Sequence, residues 1–255
     1  MPKQTKTNHS SWQTELLRLT LFPSPAAQIV TPTWWSDLVG KAPDSSISHP
    51  TEGEQREEGQ FKDTKLVLHI QPTRIDWWFG HTGLDQGDWE VGDFLMNAPF
   101  QDALEVFSNL MLRWFELETC PAAQRLAFGA ILHKPVENHQ EGYQQLSNLL
   151  PFELDPNGSI DFLYQINRPR PSNSEIEGLI INRLSKWAVE NKRRTRLSLG
   201  NKATEIVVDA SIACRLELDI NSAPDFQHEL RGGLAQLFRE FIELGQEISE
   251  KGDIP

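Results

Sequence analysis

Residues able to do chemistry are sparse in this sequence, and the most suggestive group is Glu190-Asn191-Lys192. Certain metal-dependent nucleases place a Glu and a Lys two positions apart on one strand, so that both side chains face the same way. The carboxylates of such a site bind Mg²⁺, and the Lys orients the attacking water. Asp161 is the upstream acid that would complete the site here. Three neighbouring residues would bind phosphate: Arg193, Arg194 and Arg196.

This nuclease hypothesis has weak support from the sequence, because a Glu-x-Lys triplet is common by chance in a chain of this composition. The triplet also has the character of a hairpin turn, whereas the nuclease geometry needs the centre of a strand. A third hypothesis places an enzyme pocket in the irregular stretch 80–98. Four acids there could chelate a metal, although their spacing fits no known binding loop: Asp85, Asp88, Glu90 and Asp93.

Other catalytic and metal-binding patterns are missing from the sequence. It contains no phosphate-binding loop, nucleophile elbow, HExxH helix, dinucleotide-binding glycine pattern or EF-hand loop. His133 and His139 are six residues apart, which matches no standard zinc spacing. Cys120 and Cys214 are isolated, so no disulfide framework is expected, and Cys214 has the pattern of a small core residue. We therefore expect no cofactor and no metal.

Charge is distributed unevenly along the chain. The full sequence has 24 Lys and Arg against 36 Asp and Glu, a net charge of −12. Residues 168–202, which we call the basic segment, hold nine basic and three acidic residues, so the rest of the chain carries −18. The segment is either the solvated face of a hairpin or a docking patch for an acidic partner or a phosphate backbone. The basic residues assigned to partner binding are Arg168, Arg170, Arg183, Lys186, Arg193, Arg194 and Arg196.

Tryptophan is abundant, with eight Trp against two Tyr. Side chains alternate along a strand, so Trp78 should lie on the face opposite the core residue Trp77, together with Val67 and His69. Trp187 lies within the basic segment. A sheet face that carries Trp and Arg can anchor a partner protein or stack nucleic-acid bases, unless a loop covers it. The acidic bulk favours protein over nucleic acid, so we add Trp78 and Trp187 to the partner-binding residues.

These residues are carried by a series of strands and helices. Alternating apolar residues predict strands over 12–22, 65–71, 75–79, 125–132 and 159–167. Helical spacing predicts helices over 31–40, 100–114, 140–150 and from Ser222 to Lys251. Strands near 178–190, 193–199 and 204–220 complete the pattern, and 41–63 reads as a long polar loop. The final helix has an apolar stripe and an opposite face rich in Glu, including Glu240.

This order predicts an α+β fold, an antiparallel sheet with helices on one face. It also resembles a degenerate duplication of a β-α-β-β-α unit, with halves at 12–120 and 121–255. We predict a disordered arm over 1–11 and one domain over 12–255, since no Gly-rich or Ser-rich linker separates the halves. Neither a membrane-spanning run nor a secretory signal is evident, so we expect a cytoplasmic protein that does not bind membranes.

Several phrases resemble an uncharacterised, sporadically distributed bacterial protein family of about this length. They are ELLRLTLFP, DFLYQINRPRPS, RLELDINSAPDF and LAQLFREFIELGQEISEKGD. The resemblance implies no activity and no functional residue, because none is assigned to that family. Its patchy distribution is typical of mobile gene clusters, such as phage-defence or toxin systems.

We therefore expect a non-catalytic interaction protein, an accessory or scaffold subunit whose partner protein is encoded nearby. Its contacts would come from the basic segment and the outer sheet face. Complementary acidic and basic patches leave self-association open. The alternative is a nucleic-acid-binding protein or nuclease that uses the same basic segment.

Overall fold

The computed structural model describes residues 11–25, 27, 29, 33–80, 98–174, 176–199, 204–226, 228–230 and 232–253, with the backbone alone over 192–199 and 204–210. These residues form ten strands and four helices. In chain order they are β1 (Gln13–Pro23), α1 (Trp34–Val39), β2 (Ser45–His49), β3 (Glu54–Phe61), β4 (Thr64–Gln71), β5 (Arg74–Gly80), α2 (Phe100–Glu116), β6 (Ala123–Val136), α3 (His139–Ser147), β7 (Leu163–Asn167), β8 (Arg170–Pro171), β9 (Ile180–Leu199), β10 (Thr204–Ser222) and α4 (Leu234–Lys251).

All the strands belong to one antiparallel sheet. Its order is β2-β3-β4-β5-β1-β6-β10-β9-β7, and the short β8 pairs with β9 beside β7. Each pairing is antiparallel. The α+β class predicted from the sequence is therefore confirmed.

The helices pack on one face of this sheet, the helix face. Leu17 and Leu19 of β1 are fully buried there, as are Trp77 of β5 and Phe128 of β6. Helices α2 and α4 pack against each other and against the central strands β1, β6 and β10. The opposite side, which carries the intervening residues such as Arg18, is the outer face. None of the helices among the described residues is both long and apolar enough to cross a lipid bilayer.

The sheet is arranged about the central pair of strands β1 and β6. In each half of the chain the first strand pairs with the last, β1 with β5 and β6 with β10. A long helix follows each last strand, α2 after β5 and α4 after β10. A duplication would produce this order, but order alone does not establish common ancestry, so the duplication stays a prediction.

The structure corrects three element predictions, beginning with the loop expected over 41–63. Strands β2 and β3 lie there and extend the sheet from β4. Most side chains of β2 are exposed. Its sequence therefore lacks the hydrophobic alternation by which a strand is predicted. Ion pairs on β3, such as Arg56 with Glu58 at 3.0 Å, replace the apolar contacts of an inner strand.

The second correction concerns Glu190-Asn191-Lys192, which was predicted as a turn and lies within the single long strand β9. Strand β10 pairs with β9 without interruption from Thr204↔Leu199 to Ser222↔Ile181. The residues of β9 around 190–196 are polar and lack the alternation of a half-buried strand. They are nevertheless extended, because each is paired with a residue of β10.

The third correction is the start of the last helix, which begins at Leu234 rather than near Ser222. Ser222 belongs to β10, where its Oγ accepts a hydrogen bond from the Leu126 amide at 3.0 Å. Ser222, which resembled a helix cap in the sequence, therefore belongs to the sheet. Glu240, expected on the exposed face of this helix, is only 6% exposed.

Candidate functional site

Arg168 lies between β7 and β8 and binds the segment that follows α4. Its Nη2 donates to Oδ2 of Asp253 at 2.8 Å, and the Tyr164 hydroxyl donates to the same oxygen at 2.7 Å. The hydrogen bond from Arg168 lowers the pKa of the Asp253 carboxyl, and the same bond raises the pKa of Arg168. The charge of Arg168 is therefore compensated within the chain.

Arg170 is also paired with an acid near α4. Its Nη2 lies 3.5 Å from Oε1 of Glu240. The buried Glu240 carboxylate also accepts from Ser172 Oγ at 2.6 Å and from the Asn173 amide at 2.9 Å. Burial of a carboxylate is tolerated when such donors surround it. Glu240 thus anchors the strand β8 region to α4 and does not present a free negative charge.

Arg183 lies on the helix face of β9 and is only 6% exposed. Its Nε donates to the Arg168 carbonyl oxygen at 3.0 Å, and burial lowers its pKa. The space beside Arg168, Arg183 and Asp253 is about 10 Å³, which is at the lower limit for one water molecule. This cluster is packed as part of the fold and leaves no room for a ligand.

Trp187, which we expected at a partner-binding face, is fully buried. Its Nε1 donates to Ser185 Oγ at 3.0 Å, and its ring packs edge-on against Trp12 with centroids 6.2 Å apart. The reason is register: residues 181, 183, 185, 187 and 189 of β9 all lie toward the helices. The expectation that Trp187 is exposed is wrong.

Lys186 lies on the outer face, where a chain of ion pairs crosses β9 and β10. Its Nζ is 3.1 Å from Glu217 Oε1, and Arg215 Nε donates to the same oxygen at 2.9 Å. Arg215 Nη1 also lies 3.2 Å from Glu190 and 3.7 Å from Glu15. Hydrogen bonds from Arg215 and Lys186 outweigh burial and lower the pKa of Glu217. Lys186 is therefore one member of a compensated network.

The nuclease candidates have a mixed outcome. Strand alternation places Glu190 and Lys192 on the same face of β9, which the nuclease geometry needs. The Glu190 carboxylate, however, accepts from Arg215 at 3.2 Å. Asp161 lies in an exposed connection with a positive φ of 56°. Within the described residues no group of three or more His, Cys, Asp or Glu could hold a metal ion.

Trp78 lies half-buried on the outer face, as predicted. The His69 ring packs beside it with centroids 5.8 Å apart, and the Arg56 guanidinium lies 5.7 Å from the Trp78 ring. Val67, placed on the same face by alternation, lies opposite Trp78 and is fully buried. Its cross-strand neighbours on this face are Glu58 of β3 and Trp78 of β5.

The outer half of the β9–β10 hairpin extends beyond the rest of the sheet. Pairing of β10 with β6 ends at Ile212↔Val136, and pairing of β9 with β7 ends at Leu163↔Ala188. Over 192–199 and 204–211 the two strands pair only with each other among the described residues. We call this two-stranded part the basic ribbon. At about 3.3 Å per residue it is about 25 Å long.

The ribbon contains the part of the basic segment with the densest positive charge. Residues 192–211 hold five basic and two acidic residues, a net charge of +3. By register, Arg193 lies opposite Ala210, Arg194 opposite Asp209, and Arg196 opposite Val207. Arg194 and Arg196 share one face of the ribbon because alternate residues of a strand lie on the same side.

The remaining candidate groups give little support to catalysis. Burial raises the pKa of both thiols, Cys120 and Cys214, to about 12, which leaves them protonated and unreactive at neutral pH. A groove of about 420 Å³ runs beside α4, with Glu243, Glu247 and Glu250 among its lining residues. The four acids of the 80–98 pocket hypothesis lie outside the described residues.

Comparison with protein-family models gives no match to this chain, and comparison with curated proteins gives none either.

Three important residues were missed by sequence reasoning. Asp253 and Glu240 are the acids that bind Arg168 and Arg170, and nothing local to either acid reveals its distant partner. Arg18 is the third, an arginine at the centre of the outer face. Its signal was visible as the one charged residue inside the alternating strand LLRLTLF.

Proposed function

We propose that this protein is a non-catalytic interaction protein, an accessory or scaffold subunit that docks an acidic partner protein through the basic ribbon. The observation that carries the proposal is the ribbon itself, a basic two-stranded extension that pairs with no other strand of the described sheet. Because the ribbon pairs with no other described strand, a partner could bind it without disturbing the described core residues.

The contrast with the rest of the basic segment supports this choice. Arg168, Arg170 and Lys186 each have a carboxylate partner within 3.5 Å, and Arg183 is buried. Arg168 and Arg170 join the sheet to α4 and the segment after it, Lys186 joins β9 to β10, and Arg183 packs beneath Arg168. We therefore assign the binding of an acidic partner surface to the ribbon and not to the rest of the basic segment. The rest of the chain, at −15, repels nonspecific polyanions and favours a discrete partner.

A nucleic acid is the second candidate, and the shape of the ribbon is the observation that favours it. The major groove of DNA admits a two-stranded β-ribbon, and Arg and Lys at its surface would bind phosphates. Binding of this kind has a steep dependence on salt concentration, because each phosphate contact releases counterions.

The test is a triple charge reversal in the ribbon, Arg193→Glu, Arg194→Glu and Arg196→Glu. The control reverses three exposed basic residues elsewhere: Lys41, Arg113 and Arg239. Light scattering after size exclusion, with proteins encoded by neighbouring genes, should show a complex for wild type and control and none for the ribbon variant. A ribbon variant that binds as tightly as wild type would refute the proposal, as would the lack of a complex with every protein tested.

Labelled DNA and RNA, titrated over a salt series, separate the two candidates. We expect weak binding that the ribbon variant does not change. Tight binding with a steep salt slope that is lost in the ribbon variant would instead establish the nucleic-acid function.

A further inference from the structure

Arg18 occupies the middle of the outer face. Strand β1 lies at the centre of the sheet, and Arg18 is opposite Trp78 on β5 and opposite Gly129 on β6. Its chain neighbours Leu17 and Leu19 are fully buried on the helix face. Alternation therefore sends Arg18 to the outer side of the sheet, away from all four described helices.

The guanidinium group of Arg18 lies against bare backbone. A Cβ atom built on Gly129 would lie 3.4 Å from both Nε and Nη2 of Arg18. The Nε atom is shielded from solvent, yet it finds no acceptor among the described residues. Leaving a buried donor without an acceptor is unfavourable, and native structures seldom retain one without a reason.

The acids closest in register already have partners of their own. The Asp76 carboxylate lies 2.6 Å from Arg74 Nε, and Asp219 accepts from Asn221 Nδ2 at 3.0 Å. No ion pair within the described ranges involves Arg18. Among the described residues Arg18 therefore has no ion-pair partner, while Asp76 is paired with Arg74 and Asp219 is hydrogen-bonded to Asn221.

We propose that Arg18 is a binding site for a carboxylate. The planar fork of a guanidinium matches the two oxygens of a carboxylate in a bidentate contact, and the lack of a side chain at Gly129 leaves room for the Arg18 guanidinium to lie over the β6 backbone. A dianionic phosphate is a poorer match, because a single positive charge would hold it among Asp76 and Asp219. A free organic acid and an Asp or Glu side chain both supply this carboxylate group, and the chemistry at Arg18 is the same for the two sources. This inference does not depend on the basic ribbon.

The experiment uses the full chain and compares Arg18→Gln with the control Arg113→Gln, which removes one positive charge from an exposed position of α2. The probes are sodium acetate and an end-blocked peptide with a single Asp, each measured against chloride at equal ionic strength. We expect both probes to raise the melting temperature of wild type and of the control, and to shift the Nε–H resonance of Arg18. Arg18→Gln should show no such rise with either probe.

The two probes identify the source of the carboxylate. Tighter binding of the peptide indicates a protein side chain, whereas equal or tighter binding of acetate indicates a free acid. The proposal is overturned if neither probe moves the Arg18 resonance, if Arg18→Gln retains the response, or if phosphate stabilises the protein more than acetate through Arg18. In chloride alone Arg18→Gln should melt within a few degrees of the wild-type temperature, because Arg18 makes no ion pair with the described residues. A missing response then does not reflect misfolding.

Discussion

Arginine side chains in this chain have three different environments, and each determines a different role. Arg183 is buried on the helix face, where its Nε donates to a backbone carbonyl. Arg215 lies among three carboxylates on the outer face and links β10 to its neighbours. Arg18 has no carboxylate within ion-pair distance among the described residues. Residue type alone predicts none of these differences, because they arise from what the register places nearby.

The pair formed by Arg168 and Asp253 gives a prediction at this scale. We expect Asp253→Asn to lower the free energy of unfolding by about 2–3 kcal/mol, because it removes charge-assisted hydrogen bonds from a largely buried carboxylate. The exposed Asp63→Asn is the control and should change stability by less than about 0.5 kcal/mol. Chemical denaturation at neutral pH measures both.

The same pair also predicts a pH dependence. Arg168 holds the pKa of Asp253 below its ordinary value of 3.8. Its contribution to stability is therefore complete above that pH and is lost as the pH falls through the lower pKa of the folded state. Denaturation of wild type and Asp253→Asn from pH 5 down to about pH 2 should show the two converging. A constant difference between them across this range would contradict the assignment.

Among the elements, helix α4 depends on how its C-terminal end is held. Gly252 follows the helix at a φ of 84°, and its amide donates to the Ile248 carbonyl oxygen at 2.9 Å. A Cβ at this position would overlap the Leu149 carbonyl group. The glycine therefore permits both a left-handed backbone conformation and a close approach that positions Asp253 for Arg168.

Gly252→Ala should destabilise the protein by more than Gly40→Ala. Gly40 has a similar φ of 78°, but a Cβ there meets no atom within 4 Å. We expect about 1–2 kcal/mol at Gly40 from backbone strain alone and a clearly larger loss at Gly252. Equal effects in thermal denaturation would show that the contact with Leu149 is unimportant.

The whole molecule divides into an acidic body, in which Arg168, Arg170 and Lys186 are paired with carboxylates, and a basic extension. The acids that bind the base of the basic segment lie on or just after α4, so sheet and helix are joined by charge as well as by apolar packing. The basic ribbon has no such partner element in the described structure. A protein built this way can alter the ribbon without changing its core.

Excision of the ribbon tests this separation. Replacing 193–210 with a short Asn-Gly turn joins Lys192 to Ser211, which are cross-strand partners in the register. We expect the melting temperature to stay within a few degrees of wild type, because no described core residue lies in the excised part. Binding of the acidic partner should be lost. A large fall in melting temperature would show that the ribbon is part of the body.

Elements that bury a single face can be predicted from the sequence alone. The alternation of β1 and the helical spacing of α2 predicted both elements closely, because each buries one stripe of side chains. The edge strand β2 and its neighbour β3 bury too few side chains for a pattern to form. The pairing of Arg168 with Asp253, 85 positions away, and of Arg170 with Glu240, 70 positions away, arises only in the folded chain. Such pairing depends on sheet order and on the docking of α4, and neither is encoded in local spacing.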